Sequence, residues 1–160
     1  MPSLKDNKGK LAGLVGVGAL TLLLTFVPKF EGNILRGYED PIGIVTACVG
    51  HTKTAVLGRP YTKEECETLL IADLAEHAAG VKKCVKVPLT TGQLAASISF
   101  AFNVGVKAFC GSTMVKKFNR RDFAGGCAEL SRWVLAKGKE FKGLVERRKV
   151  ERAMCEGTLK

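Results

Sequence analysis

The chain has 160 residues, 46% of them hydrophobic, which is enough for one domain with a hydrophobic core and too few for two comfortable ones. Lys and Arg number 25 against 15 Asp and Glu, so the formal net charge is +10 and an anionic partner is expected. Nucleic acid, anionic lipid and the bacterial wall all fit. Because the basic residues are spread along the sequence and no nucleic-acid-binding motif is present, we expect no nucleic-acid partner.

The six cysteines are unusual for a cytosolic chain of this size and indicate an oxidising compartment. They can pair in many ways, and buried thiols acting as small hydrophobic side chains are the alternative. We expect Cys84 to pair with Cys110, because these two residues flank one helix-forming unit. We expect Cys127 to pair with Cys155, which would tie the last two helices together.

Metal binding is not indicated by the sequence. No Cys-x-x-Cys motif occurs, and His51 and His77 complete no metal-ligand spacing. We therefore expect neither a metal site nor another cofactor.

Residues 1–28 combine a polar arm with a long uncharged run. The arm carries Lys5, Lys8 and Lys10, and residues 11–28 contain no charged side chain. As one helix that run would be about 27 Å long, close to the hydrocarbon thickness of a bilayer. The sequence thus separates an N-terminal segment, residues 1–28, from a domain at 29–160.

Three roles compete for this segment. A cleaved signal peptide lacks a convincing small-x-small cleavage site before Pro28. A permanent anchor would be richer in large apolar side chains, whereas Gly13, Gly16 and Gly18 make this run only weakly hydrophobic. A core helix is not a sufficient explanation, because core helices seldom lack every charge over such a length. We expect weak membrane anchoring.

Glu31, Asp40 and Thr46 lie close together in the segment after the apolar run. Two carboxylates and a hydroxyl suit glycoside hydrolysis, in which one acid protonates the leaving oxygen and the other carboxylate acts on the opposite face of the sugar. The patterns Gly-x5-Tyr-x-Asp and Gly-x2-Thr-x3-Gly-His, which end at Asp40 and His51, fix their spacing. This segment resembles the catalytic segment of phage-type lysozymes, glycoside hydrolase family 24.

That resemblance implies a mainly helical α+β fold of the lysozyme type, with a small N-terminal β-sheet lobe and a helical C-terminal lobe. It implies hydrolysis, with inversion, of the β-1,4 bond between N-acetylmuramic acid and N-acetylglucosamine in peptidoglycan. Glu31 would be the general acid, Asp40 the charge stabiliser or base, and Thr46 the residue that binds the attacking water. A lytic transglycosylase, which requires mainly the Glu, is the alternative within enzymes.

The same resemblance assigns four further residues. Phe102 and Ser112 match positions at the edge of the sugar-binding cleft, although core packing explains Phe102 equally well. Asp73 is placed to pair with His51, which we expect to brace the fold rather than transfer protons.

The N-terminal segment resembles the signal-anchor-release segment of some phage endolysins. The resemblance implies insertion in the inner membrane through residues 11–28, with the enzyme inactive on the periplasmic face until the segment leaves the bilayer and the protein enters the periplasm. We expect a monomer. The rival hypothesis is a non-enzymatic cationic protein that disrupts membranes.

After Glu31 we predict a short helix continuing over 33–37, an extended segment from Asp40 and strands over 42–49.

Capping signals define the next two helices. Thr62-x-x-Glu65 is a capping box and predicts a helix that ends at Gly80, with Leu69, Leu70 and Leu74 buried. Thr90-x-x-Gln93 is a second capping box and predicts a helix that ends before Gly105.

Three helices are predicted in the C-terminal third: one from Ser112 or Thr113, one over 122–133 and one after Gly138. The pattern Gly-Leu-x-x-Arg-Arg-x-x-Glu at 143–151 also occurs in phage lysozymes. Arg147, Arg148 and Arg152 mix there with Glu146, Glu151 and Glu156, which predicts a mostly solvated helix face with i,i+4 ion pairs.

Overall fold

The computed structural model describes residues 3–160 and confirms the predicted class, a mainly helical α+β fold. Its helices and strands follow one another as α1 Leu4–Val15, α2 Val17–Glu31, β1 Ile34–Glu39, β2 Val45–Cys48, α3 Lys63–Cys84, α4 Thr91–Val104, α5 Val106–Cys110, α6 Thr113–Asn119, α7 Phe123–Glu129, a 3-10 turn Leu130–Arg132, β3 Leu135–Ala136, β4 Lys139–Glu140 and α8 Lys142–Glu156.

The apolar N-terminal run does not form a single straight helix; it is divided between α1 and α2. The break is at Gly16, whose φ of 88° and ψ of 154° suit glycine almost alone, and the two helices are bent by 114°. Among the residues described, no single helix is long and apolar enough to cross a membrane, whereas this bent pair together has the length and composition to do so.

Both halves of the run pack into the main core. Leu11 and Leu23 are each 1% exposed, Val27 is fully buried, and α1 packs on α3 while α2 packs on α4. Val17, at the bend, is 73% exposed. In this structure the run therefore acts as core, the role that we judged insufficient by itself.

The chain after α2 differs from the prediction. The helix ends at Glu31 because Gly32 takes a φ of 74°, and residues 33–37 are not helical. Ile34–Glu39 instead forms β1, which pairs antiparallel with β2 in the registers Tyr38 with Thr46 and Ile34 with Cys48. Asp40 lies in the turn between the strands and does not begin an extended segment.

Helices α3 and α4 begin at the predicted capping boxes, in which Thr62 and Thr90 accept the N–H groups of Glu65 and Gln93. Helix α4 ends before Gly105 as predicted, whereas α3 continues through Gly80 to Cys84. A Cβ on Gly80 would lie 2.6 Å from the Val106 side chain, so this glycine permits close packing of α5.

The burial of the α3 stripe follows the prediction in part. Leu70 and Leu74 are buried in the main core, whereas Leu69 is partly buried and packs on a smaller one. That second core lies under the β1–β2 hairpin and contains Ala47, Cys48, Tyr61 and Cys66. Two cores agree with the predicted two lobes.

In the C-terminal third, helix α6 begins at Thr113 with Ser112 as its N-cap, as predicted. The predicted helix over 122–133 is instead the shorter α7 followed by a 3-10 turn. The last helix begins only at Lys142, because β3 and β4 form a hairpin around Gly138, which has a φ of 75°.

Three disulfides connect these elements. Cys84 bonds to Cys110 and Cys127 to Cys155, which confirms both predicted pairs, and Cys48 bonds to Cys66. The last pair ties β2 to the start of α3 and so fixes the hairpin on the long helix. Together they connect both lobes to α3 or α8, which carry residues of the candidate site.

Candidate active site

Glu31 is the last residue of α2, and its position follows from the packing of that helix. Val27, one turn earlier, is fully buried in the main core, while the Glu31 side chain remains 22% exposed. Gly50 lies against it: a Cβ on Gly50 would be 3.3 Å from Glu31 Oε2 and 3.9 Å from the Phe102 ring. The carboxylate is therefore confined by its neighbours but accessible to a ligand.

The carboxylate of Glu31 is held by Arg147 of α8. Arg147 Nη1 lies 2.5 Å from Glu31 Oε1, Nε lies 3.0 Å from Glu151 Oε1, and Nη2 donates to the Ser99 carbonyl oxygen at 2.9 Å. The guanidinium is also 4.9 Å from the centre of the Phe30 ring. This planar donor set fixes the direction in which Arg147 presents Nη1 to Glu31.

Arg148 and Glu151 complete a buried charge cluster with Glu31 and Arg147. Glu151 is fully buried; its Oε2 lies 2.6 Å from Arg148 Nη1, and it accepts a hydrogen bond from Ser99 Oγ at 2.8 Å. Burial lowers the pKa of Arg148, and the charge of Glu151 opposes that shift. Two guanidinium groups therefore face two carboxyl groups in this cluster.

This cluster corrects the predicted solvated face on the last helix. Arg147 and Arg148 are 4% and 2% exposed. Arg152 with Glu156 forms an exposed pair at the expected i,i+4 spacing, and Lys149 with Glu146 forms one at i,i+3. The sequence spacing of Arg147, Arg148 and Glu151 does not distinguish a surface ion pair from a buried one, because both use i,i+3 and i,i+4 neighbours.

Asp40 is built into the β1–β2 turn by its own side chain. Its Oδ1 accepts the backbone N–H groups of Ile42 and Ile44, each at 2.9 Å, and its N–H donates to the Ile44 carbonyl oxygen. Asp40 is half-buried while both isoleucines are exposed. One carboxylate oxygen thus shapes the turn, and the structure records no hydrogen bond to the other among the residues described.

Thr46 lies on β2, within the predicted strands, where it pairs with Tyr38 of β1, and it is 5% exposed. Its hydroxyl donates to the Ile44 carbonyl oxygen at 3.1 Å. Because that hydrogen is used, the hydroxyl oxygen is left to accept a hydrogen bond from a ligand or a water.

His51 and Asp73 make the contact predicted for them, with His51 Nδ1 2.7 Å from Asp73 Oδ2. The backbone N–H of Thr54 donates to His51 Nε2 at 3.2 Å, so the ring hydrogen lies on Nδ1 and points to Asp73. His51 is 4% exposed. This buried pair braces the segment after β2 against α3.

The two predicted sugar-contact residues differ in their surroundings. Phe102 is partly exposed near the end of α4, with its ring centre 5.0 Å from that of His77. Ser112 is 4% exposed, and its hydroxyl accepts the Val115 N–H as the cap of α6. Gly50 therefore lies between Glu31 and Phe102, and sugar contact stays a prediction for both Phe102 and Ser112.

No cluster of His, Cys, Asp and Glu able to hold a metal ion occurs within residues 3–160. The chemistry available at the site is that of carboxylates, one threonine hydroxyl and a buried guanidinium. That set is suited to acid–base catalysis on a glycosidic bond.

Comparison with known proteins gives the family. The sequence profile of the Phage lysozyme family matches residues 28–151. The SAR-endolysin of Enterobacteria phage PA-2 is 38% identical over 161 aligned positions, covering 96% of this chain and 96% of that protein. The SAR-endolysin of Escherichia phage Mu is 45% identical over 117 residues, covering 73% of this chain and 68% of its own.

Solved structures of phage lysozymes and endolysins share the fold of this chain. P22 lysozyme, in a mutant form, is 30% identical with a TM-score of 0.74, covering 89% of this chain and 97% of its own. The active form of phage P1 endolysin Lyz, only 18% identical, shares the fold over 98% of this chain and 95% of its own, with a TM-score of 0.78. The chain belongs to the phage lysozyme family, and it is a hydrolase of the lysozyme class.

Proposed function

We propose that this lysozyme hydrolyses the β-1,4 bond between N-acetylmuramic acid and N-acetylglucosamine in peptidoglycan, with Glu31 as general acid. The observation that carries the proposal is the position of Glu31, a partly exposed carboxylate held by buried Arg147 and followed by the hairpin that presents Asp40 and Thr46. Glycoside hydrolysis uses one carboxyl group as an acid and a second carboxylate, and the β1–β2 hairpin that follows Glu31 carries Asp40.

Each residue has a separate role. Glu31 donates its proton to the leaving oxygen, and Asp40 uses the carboxylate oxygen free of the turn to stabilise positive charge on the sugar ring or to activate water. The Thr46 oxygen accepts a hydrogen bond from that water. Arg147 touches no substrate in this scheme; it is a positioning residue for Glu31.

The test is clearing of outer-membrane-permeabilised Gram-negative cells by the purified full-length protein, by Glu31→Gln and by Glu39→Gln. Glu39 is an exposed carboxylate on β1 and serves as the matched control. We expect Glu31→Gln to lower the clearing rate by at least about 100-fold and Glu39→Gln to leave it nearly unchanged. Equal clearing by all three would support the rival hypothesis of cationic membrane disruption.

We propose further that residues 11–28 first hold the protein in the inner membrane and later leave it for the periplasm. Helix α2 carries both the second half of this run and Glu31, so Glu31 can reach Arg147 only when Leu20, Leu23 and Val27 occupy the protein core. A bilayer and the core cannot bury the same side chains at once. The membrane form is therefore inactive, and the packed form described above is the active one.

Fractionation tests this second proposal. After expression with export, membrane and periplasmic fractions are matched for protein amount and compared in the clearing assay. We expect activity per molecule in the periplasmic fraction to exceed that in the membrane fraction by at least about tenfold. An equally active membrane form would refute the coupling between α2 and Glu31, while leaving the proposed hydrolysis intact.

A further inference from the structure

Lys and Arg are spread along the sequence, but Asp and Glu are not, so one stretch carries most of the excess positive charge. Between Glu76 and Asp122 there is no acidic residue, whereas eight residues are Lys or Arg. These eight residues, which we call the cationic surface, are Lys82, Lys83, Lys86, Lys107, Lys116, Lys117, Arg120 and Arg121. The formal net charge of the whole protein is +10.

The fold gathers the ends of the helices that carry these residues. The disulfide between Cys84 and Cys110 joins the end of α3 to the end of α5. At the end of α6, the Asn119 amide donates to the Cys84 carbonyl oxygen at 2.9 Å and accepts the Lys86 N–H at 2.7 Å. Residues far apart in sequence therefore share one end of the helical lobe.

The charges of this surface are not neutralised within the protein. Lys117 lies 4.0 Å from Asp122 and 3.7 Å from Glu129, but the other seven make no salt bridge in the described part of the chain, and all seven are exposed. Of the other 17 Lys and Arg residues, eight form salt bridges.

Cations in the last turn of a helix are favoured by its dipole, which accounts for Lys82 and Lys83 in α3 and for Lys116 in α6. The dipole gives no reason to exclude every carboxylate between Glu76 and Asp122. Mutual repulsion among the seven unneutralised cations opposes folding, so an anionic partner is the expected benefit.

The α1–α2 bend lies beside this surface. Lys82, a residue of this surface, contacts the Leu14 carbonyl oxygen near the end of α1 through its Nζ. The run that we place in the bilayer before release therefore folds back against the cationic end of the domain.

We propose that the cationic surface binds the phosphate groups of anionic phospholipids and keeps the released protein at the membrane surface. The inference rests on the proposed membrane origin of residues 11–28. Clusters of four to eight basic residues are typical of binding to anionic bilayers, where each Lys or Arg strengthens binding by a factor of roughly five. The attraction is electrostatic, so salt weakens it.

Cosedimentation of the full-length protein with lipid vesicles tests this inference. The vesicles contain phosphatidylcholine alone or phosphatidylcholine with phosphatidylglycerol, at low and at high salt. The test variant combines Lys83→Gln, Lys116→Gln and Arg120→Gln. The control variant combines Lys63→Gln, Lys139→Gln and Lys142→Gln, which removes the same number of exposed cations from outside the surface.

We expect salt-sensitive binding to the phosphatidylglycerol vesicles, lowered on the order of 100-fold in the test variant and much less in the control. Equal binding by the two variants would overturn the inference, because net charge or insertion of residues 11–28 would then explain the lipid binding. The inference would also be overturned if the test variant kept lipid binding but lost binding to isolated peptidoglycan.

Cell clearing by the same variants separates this inference from the proposed function. Neither variant changes Glu31, Asp40, Thr46 or Arg147, so both should still clear permeabilised cells in a manner that depends on Glu31. Lost lipid binding with retained clearing assigns the surface to the membrane. Lost clearing by Glu31→Gln with no lipid binding by the parent protein would leave the lysozyme activity standing and remove the membrane role of the surface.

Discussion

Arg147 Nη1 and Glu31 Oε1 lie 2.5 Å apart and join the last helix to the end of α2 across 116 positions of the sequence. The contact links the general acid that we propose to the buried cluster of Arg148, Glu151 and Ser99. Because α2 also contains the apolar run, this one ion pair connects the packing of the N-terminal segment to the geometry of the site.

Arg147→Lys should lower the clearing rate by about 10- to 100-fold. A lysine keeps the positive charge but cannot donate simultaneously to Glu31, Glu151 and the Ser99 carbonyl oxygen, so the carboxylate of Glu31 loses its fixed direction. Clearing is measured with thermal unfolding of the same sample.

The matched control is Arg152→Lys, since Arg152 pairs with Glu156 on the exposed face of the same helix. It should keep full activity. If Arg147→Lys clears cells at the parent rate while remaining folded, Arg147 does not position Glu31.

Glu151→Gln should lower the free energy of unfolding by about 3–5 kcal/mol, because it removes the buried carboxylate that lies between Arg147 and Arg148. Urea unfolding measures the change. Glu156→Gln, which breaks an exposed pair with Arg152, should change it by less than about 0.5 kcal/mol. Similar values for the two variants would contradict the burial assigned to Glu151.

Asp40 has a structural and a chemical role that two substitutions separate. Asp40→Asn keeps an oxygen able to accept the Ile42 and Ile44 N–H groups, so stability should change by less than about 1 kcal/mol while clearing falls by about 100-fold or more. Asp40→Ala loses both hydrogen bonds and should also be destabilised, by about 1–3 kcal/mol.

Equal activity of Asp40→Asn and the parent would restrict this residue to shaping the turn. The measurements are urea unfolding and clearing of permeabilised cells on the same preparations, so that loss of folded protein is not read as loss of chemistry.

Gly16→Leu should increase the fraction of protein that stays in the membrane. The bend needs a φ of 88° at this position, where a leucine is strained by about 1–3 kcal/mol, whereas a straight membrane helix has no such requirement. Fractionation after export measures the distribution.

Gly13→Leu is the control for Gly16→Leu, because Gly13 is exposed in α1, has open space around it and lies at no positive φ. Both changes add the same apolar side chain. Equal retention of the two variants would show that hydrophobicity, and not the bend, governs release.

The sequence predicts the elements whose signals are local. The capping boxes at Thr62 and Thr90 place α3 and α4 because each box is complete within four residues. The prediction of a helix over 33–37 was wrong because the pairing of β1 with β2 is a contact between segments. The break at Gly16 was not predicted because the sequence does not distinguish this glycine from Gly13 and Gly18 in the same run.

The residues of the candidate site also divide into those with a local sequence signal and those without one. Glu31, Asp40 and Thr46 are predicted from one short segment that resembles the catalytic segment of phage-type lysozymes. Arg147 and Glu151 were missed because their burial depends on α8 packing against α4, and their spacing alone equally suits an exposed helix face.

Product analysis tests the central claim most directly. Purified sacculi are digested with the parent protein, with Glu31→Gln and with the Glu39→Gln control, and the released sugars are identified at their ends. We predict fragments with a reducing muramic acid end from the parent and the control, and no fragments above background from Glu31→Gln. Anhydro-muramic acid ends would show a lytic transglycosylase, and fragments released by Glu31→Gln at the parent rate would remove Glu31 from the chemistry.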